Sequence, residues 1–344
     1  MPSTKPPITL SVVIPAYNAA KWLPRSVPKV AAAIKHATVG KAEIIIVDDG
    51  SSDDTAEVAK TLKLPYPVKV ISQPNSGRFI ARKKGVEAAN YDYVLLIDTR
   101  IFIGEDSLKY ITGRLSAKSD TLIWTSHVII DKESNLYARF WEGLTFIAWR
   151  RYFANPRDCS YGIKDFDHYP KGTTCFFVPK SILREANSWF ETKTKNSKAS
   201  NDDTLLIRRM AETHNINLSP NFYCTYHART SLRQYCRHVY FRGKVFVDGF
   251  LRRDGNRFFW PLVAFLAVSV VVPVYLVIFP QYLALFAAGM AAAWIIELLA
   301  ALLLGVPGKD ALSLFILTPL FVLVYGAGIW TAVFDIYVRR ERPA

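Results

Sequence analysis

The charge map of this 344-residue chain breaks at Phe258. Between that residue and Tyr337 the only charged positions are Glu297, Lys309, Asp310 and Asp335, and the first 257 residues hold nearly all the others. Three apolar stretches fill the region: Pro261 to Phe279, Tyr282 to Leu304 and Ala311 to Phe334. Each is close to the roughly 20 residues that carry a helix across a hydrocarbon core. Buried helices of a soluble domain rarely run so long without a polar face, so membrane spans are the expectation. The chain then divides into a soluble domain over 1–228, a basic amphipathic segment over 229–260 and a membrane-embedded segment over 261–337 with two to three spans.

The number of spans raises a conflict. If all three stretches cross, YVRRERPA at 337–344 lies opposite the soluble domain, whereas its arginines favour the cytoplasm. An even number of crossings removes the conflict, for example if 261–279, interrupted at Pro273, is re-entrant or interfacial. Glu297 inside the second stretch is costly in hydrocarbon and needs a partner or a polar pocket.

A net charge of +14 admits nucleic acid as a partner, but eight cations fall together just before the first span: Arg229, Arg233, Arg237, Arg242, Lys244, Arg252, Arg253 and Arg257. Interleaved with Leu232, Tyr235, Tyr240, Phe246 and Phe250, they suit anionic headgroups or an anionic lipid-linked substrate better than DNA. Membrane lipids are therefore expected partners, and nucleic acid is not. The start, MPSTKPPITLSVVIP, lacks the apolar core and cleavage site of a secretory signal, and Cys159, Cys175, Cys224 and Cys236 show no paired spacing. Both features lead us to expect a multi-pass membrane protein with its soluble domain in the cytoplasm.

Within that domain, apolar runs alternate with helical patterns. TLSVVIP (9–15), EIIIVDD (43–49), VKVIS (68–72) and YVLLID (93–98) read as strands, with helices in 22–37, after SSDDT and through SGRFIARKKGVEAAN. The first helix is expected to begin in earnest near Pro28, and the second to be capped by Ser52 or Asp53. Continuous apolar strands alternating with helices predict an α/β fold with a mostly parallel sheet covered on both faces. Ligands of such sheets bind at the carboxyl ends of the strands. Those ends carry Pro15-Ala16-Tyr17-Asn18, Asp48-Asp49-Gly50-Ser51, Gln73-Pro74-Asn75 and Asp98. Paired acceptors at Asp48 and Asp49 suit a ribose diol or a base N–H. Arg78, Arg82, Lys83 and Lys84 open a helix that could face a pyrophosphate, although a solvated basic face explains the two lysines equally well.

VVIPAYN (12–18), IIIVDDGSSDDT (44–55), NSGRFIARKKG (75–85) and LLID (95–98), in that order and spacing, resemble the nucleotide-binding half of family 2 inverting glycosyltransferases, which have the GT-A fold. The resemblance implies a nucleotide-sugar donor held by Pro15, Tyr17, Asp48 or Asp49 and the Arg82 region. It also implies Mg²⁺ or Mn²⁺ bound through an Asp-x-Asp after the fourth strand. Here the second acid is replaced by Arg100, which stays protonated and ligates no metal. Either Asp98 holds the cation with diphosphate oxygens and water, or Arg100 supplies positive charge to the leaving diphosphate.

The resemblance extends to Asp202-Asp203-Thr204, which matches the acidic motif of the family's general base; the register selects Asp203 over Asp202. Gly172 and Thr173 correspond to a glycine-led stretch that lines the acceptor site. Gln234-Tyr235-Cys236-Arg237-His238 is similar to the QxxRW motif, with His for Trp, and implies acceptor contacts from Gln234 and Arg237. Asp165-Phe166-Asp167 has an acid spacing of the right kind but sits in a loop-like context, and 136–153 has the spacing of an amphipathic helix resting at a core or bilayer. The expected activity is transfer of a sugar, UDP-linked in preference to GDP-linked, to a hydroxyl of a saccharide or lipid-linked acceptor. A polyprenyl-phosphate sugar synthase and a catalytically inactive nucleotide-sugar sensor are the alternatives.

Overall fold

The computed structural model describes residues 7–117, 121–131, 135–190, 202–253 and 257–339. The four expected strands are present as β1 (Ile8–Ala16), β2 (Val39–Asp48), β3 (Val68–Ser72) and β4 (Tyr93–Ile97). They pair in parallel in the spatial order β3-β2-β1-β4, through crossover helices α1 (Leu23–His36), α2 (Thr55–Thr61) and α3 (Arg78–Glu87). Successive residues of each strand serve opposite cores. Val12, Ile14, Ile44, Ile46 and Leu95 pack on one side, while Val13, Ile45, Val47, Val94 and Leu96 pack on the other. Burial of both faces is why these strands read as unbroken apolar runs rather than as alternating ones.

Helix α1 starts five residues earlier than its Pro28 suggested. Pro24 occupies the favoured first positions, and Pro28 lies inside the helix, where it removes one internal hydrogen bond. The cap of α2 is nearer the expectation: Asp53 Oδ1 accepts the Thr55 N–H at 3.1 Å, although the residue flanking the helix is Asp54.

Beyond β4 the sheet becomes mixed, a feature that needs long-range pairing and is not local in sequence. β5 (Ile101–Ile103) is followed by α4 (Ser107–Ala117), β6 (Ile123–Ile130), α5 (Leu136–Ala148), the short α6 (Arg150–Phe153) and β7 (Cys159–Tyr161). Then come β8 (Cys175–Pro179), α7 (Lys180–Ser188), α8 (Asp202–Ala211) and β9 (Ile216–Tyr226). β8 inserts antiparallel between β4 and β6, and β9 runs parallel to β6 while pairing antiparallel with β5 and β7. The segment 163–168, expected as a loop, forms a short 3-10 helix. Its acids are consumed by ion pairs, Asp167 with Arg208 at 2.9 Å and Asp165 with Arg151 at 3.0 Å.

Helix α9 (Leu232–Phe250) leads to three long apolar helices, α10 (Phe259–Ile278), α11 (Leu283–Leu303) and α12 (Gly308–Tyr337), with mean hydropathies of 2.6, 2.0 and 2.1 over their most apolar windows. The helices differ in what surrounds them. α10 and α11 are almost wholly exposed, whereas α12 packs along its length on α5 and α9. At the α9–α12 crossing the backbones touch: a Cβ on Gly328 would meet the Tyr240 carbonyl at 2.2 Å, and one on Gly243 would meet the Tyr325 carbonyl at 2.2 Å. Only glycine at both positions allows this approach. Ion pairs close the assembly at either end, Arg139 of α5 to buried Asp310 at 3.2 Å and Lys244 of α9 to Asp335 at 2.9 Å.

Candidate active site

The loop after β2 is built around Asp49. Its Oδ1 accepts from Gln73 Nε2 at 2.7 Å and from the Ser76 N–H at 2.8 Å, and its Oδ2 accepts from the Gly77 N–H at 2.9 Å. The carboxylate therefore secures the entry to α3 from across the rim, a role that a reading confined to local caps missed. Gly50 makes the turn possible: its φ is +69°, and a Cβ there would sit 2.5 Å from the Asn75 nitrogen. Asp48 has one side-chain partner among the described residues, the Ser51 N–H at 3.2 Å. Pro15 lies near the end of β1, and beyond it Tyr17 is 53% exposed over the same rim. Asn18 adopts a left-handed conformation (φ +49°) and accepts from the Ser52 N–H at 2.8 Å, tying the β1 and β2 loops together.

Because Asp49 fixes the start of α3, two arginines one helical turn apart project toward the end of β4. Arg82, only 3% exposed, bridges two acids: Nη2 donates to Asp98 Oδ1 at 2.7 Å and Nη1 to Asp203 Oδ1 at 2.7 Å. Arg78 Nη2 reaches Asp203 Oδ2 at 3.5 Å, and the Thr173 hydroxyl donates to Asp203 Oδ1. Burial raises the Asp203 pKa, but Arg78, Arg82 and the Thr173 hydrogen bond outweigh it and hold the carboxyl well below the usual range. Residues 82, 98, 173 and 203 thus meet although they are far apart in sequence. Thr173, selected for the acceptor side, touches the candidate base itself, and the carbonyl of Gly172 beside it accepts from Thr125 Oγ1 at 3.3 Å. Asp202 begins α8, but its side chain lies outside the described residues.

Other expected residues fall elsewhere. Arg100 makes no ion pair with Asp98; its guanidinium lies 4.7 Å over the Trp22 ring and donates to the His227 carbonyl at 3.4 Å. Gln234 and Arg237 are exposed on the first turns of α9. Asp98 is thus one carboxylate, already engaged by a guanidinium, with an arginine where the second acid belongs. Among the described residues no group of three or more His, Cys, Asp or Glu gathers. Asp98 would thus be a single protein ligand, and Mg²⁺ or Mn²⁺ there would draw its remaining oxygens from the donor diphosphate and water.

An α/β sheet with a carboxylate-rich rim at its parallel strand ends is the arrangement of a nucleotide-binding α/β fold. Residues 11–180 match the family described as Glycosyl transferase family 2, so this part of the chain is a family 2 glycosyltransferase domain. Its relatives include the uncharacterized glycosyltransferase YibD of Escherichia coli K12, 38% identical over 26% of this chain and 25% of the relative. GlyG of Streptococcus pneumoniae serotype 4 is 28% identical over 37% of this chain and 42% of the relative. An undecaprenyl-phosphate 4-deoxy-4-formamido-L-arabinose transferase of Pseudomonas savastanoi is 39% identical over 26% of this chain and 27% of the relative. These matches span less than half of each relative. Among solved structures, the mannosyltransferase PcManGT of Pyrobaculum calidifontis, in complex with GDP-Man and Mn²⁺, aligns over 97% of this chain and 90% of its own with a TM-score of 0.56 and 18% identity. TarS 1–349 of S. aureus, in complex with UDP-GlcNAc, aligns over 97% and 92% with a TM-score of 0.50 and 16% identity. At these identities the likeness establishes the GT-A fold.

Proposed function

We propose that the chain transfers one sugar from a nucleotide-sugar donor, UDP-linked in preference, to a hydroxyl of a saccharide or lipid-linked acceptor at a membrane surface, for cell-surface glycan synthesis. The observation that carries this reading is the Asp98–Arg82–Asp203 bridge at the rim where the parallel strands end. In a single displacement the acceptor oxygen attacks the anomeric carbon, the bond to the diphosphate breaks, and the acceptor proton passes to Asp203. The negative charge that develops on the diphosphate calls for cations, and Arg78 and Arg82 are the groups at hand. Pro15, Tyr17, Asp48 and Asp49 line or build the rim for the nucleotide.

With three donors on its two oxygens Asp203 is a weak base. A donor diphosphate that draws Arg78 toward itself frees Oδ2 and raises the affinity of the carboxylate for a proton. Donor binding thereby prepares the base, so the donor binds first. The neighbours bound to UDP-GlcNAc and to GDP-Man support a nucleotide-sugar donor, and the undecaprenyl-phosphate relative supports a lipid-linked acceptor.

A screen of UDP- and GDP-sugars for thermal stabilisation, followed by nucleotide release with lipid extracts, tests this reading. We expect one donor to stabilise the protein, and comparing Mn²⁺ with EDTA separates a cation held by Asp98 and the diphosphate from a diphosphate met by arginines alone. Stabilisation confined to Mn²⁺ would give the diphosphate a cation, whereas binding with no release in any extract would make the protein a sensor rather than an enzyme.

For the membrane part, our reading is two spans, α10 and α11, with the catalytic domain on the cytoplasmic side. α12 is long and apolar enough to cross, but it shares its length with α9, which carries Arg233, Arg237, Arg242 and Lys244. Burying that many cations in hydrocarbon is prohibitive, so the α9–α12 pair belongs at the interface. Leu312, Ile316, Leu323, Trp330 and Phe334 form an exposed stripe at helical spacing that faces the acyl chains. The two spans stand on this base: Phe265 of α10 packs against Gly326, and Glu297 of α11 accepts from Thr318 Oγ1 at 2.6 Å. That bond also satisfies the acid in the second stretch. Arg150 of α6 donates to the Leu304 carbonyl at 2.8 Å, which supports an α11–α12 turn on the catalytic side. Cysteines introduced as Gln281→Cys and Val338→Cys test this: an impermeant maleimide applied to intact cells should label only position 281. Labelling of position 338 from outside would make α12 a third span.

A further inference from the structure

Beside the candidate base, three guanidiniums gather without a carboxylate partner among the described residues. The Arg100 guanidinium lies 4.7 Å over the Trp22 ring, and the His227 N–H donates to the Arg100 carbonyl at 3.0 Å, which places the residue against the end of β9. Arg229 follows that strand and donates to the Tyr226 hydroxyl at 2.6 Å. Arg242, from α9, covers Trp141 at 5.1 Å. Trp141 and Tyr226 pack in one cluster with Ile130, Ala138 and Ala228, so the supports of Arg229 and Arg242 are contiguous. His238 completes the wall, its ring 5.3 Å from that of Trp141.

The electrostatics of this wall are one-sided. Burial lowers the His238 pKa well below the usual imidazole range, and Arg229, Arg242, Arg78 and Arg100 lower it further. Burial likewise lowers the pKa of Arg100, and the charge of Arg229 adds to the effect. Asp131, on this side, is engaged by His227 at 2.8 Å. Stacking on an aromatic face satisfies the plane of a guanidinium but leaves its N–H edge available. Like charges held together in this way lack only an anion, and a forked guanidinium edge matches phosphate oxygens.

We propose that Arg100, Arg229 and Arg242 form a phosphate-binding site that holds the phosphate of a lipid-linked acceptor next to Asp203. The proposal rests on the transferase reading and specifies its acceptor. Two placements select the lipid. Arg100 follows Asp98 by two residues, and Arg82 bridges Asp98 to Asp203 with 2.7 Å contacts to both, so the wall adjoins the base. Arg242 and His238 belong to α9, which carries the apolar helices on its other side. The site also accounts for arginine at position 100, where the family pattern has an acid.

The same chemistry could come from the donor diphosphate, so the test carries separate arms. Full-length protein in phosphatidylcholine nanodiscs is titrated by thermophoresis with farnesyl phosphate, farnesol, inorganic phosphate and the nucleoside diphosphates. Farnesyl phosphate should bind about tenfold or more tightly than farnesol or inorganic phosphate. The double variant Arg229→Gln/Arg242→Gln should weaken it by about tenfold or more and leave nucleotide affinity within about twofold, with partial rescue by the double Lys variant. An unchanged melting temperature in the variant excludes unfolding as the cause. Equal affinity for farnesol and farnesyl phosphate overturns the site. A loss confined to the nucleotide overturns the lipid assignment and gives the arginines to the donor. Because no turnover is measured, failure of every nucleotide sugar to bind sinks the transferase reading and leaves the farnesyl phosphate result standing.

Discussion

Replacing Asp203 by Asn should lower turnover by about 10³-fold while leaving nucleotide-sugar affinity nearly unchanged. The amide keeps the shape of the side chain and still accepts from Thr173, but it takes no proton from an acceptor hydroxyl. If the acceptor were itself a phosphate, no base would be needed, and the variant would keep most of its activity. The pH profile offers a second check. The Asp203 pKa is lowered, so in the free enzyme the carboxylate is already ionised throughout the ordinary carboxylate range and above. The acid limb of kcat/KM should therefore be absent down to about pH 4. Arg78→Gln removes the largest of the charges that lower this pKa and should bring the limb upward. An unchanged limb in that variant would sink the proposed release of the base by Arg78.

Replacing Arg82 by Met should cost about 3–5 kcal/mol, because it leaves two carboxylates facing each other in a largely buried site. For a domain of this size that corresponds to a fall of roughly 10 °C in melting temperature. Arg82→Lys should rescue only part of the loss, since an ammonium lacks the planar fork that here gives 2.7 Å bonds to both Asp98 and Asp203. The sign with pH follows from the lowered Asp203 pKa: the stabilisation is fully present above the unfolded carboxylate pKa and disappears as pH falls through the folded one. The difference in melting temperature between wild type and Arg82→Met should therefore narrow in strong acid. A melting temperature unaffected at neutral pH would remove Arg82 from its bridging role.

Much of the fold was legible because its signals are local. The apolar runs ending in Pro15, Asp48 and Asp98 mark buried parallel strands, and the break in charge at Phe258 marks the apolar helices. The candidate base and Arg82 were legible for a different reason, since they lie in short motifs whose spacing resembles a known family. Thr173 contacting Asp203, Arg78 joining the same carboxylate and Asp49 securing α3 were not legible, because each depends on loops from separate crossovers meeting at one rim.

Arg100 separates the two kinds of information. Its side-chain type alone settled that position 100 is no metal ligand, since a guanidinium has no lone pair to offer at physiological pH. Where that charge acts was decided by the turn after β4 and by Trp22, which draw it away from Asp98 and toward Arg229. The same division holds for the apolar helices. Composition determined that three are long and apolar enough to cross a bilayer, because hydropathy is a sum over residues. That α12 lies against α9, backbone to backbone at Gly243 and Gly328, was decided by packing between helices far apart in sequence.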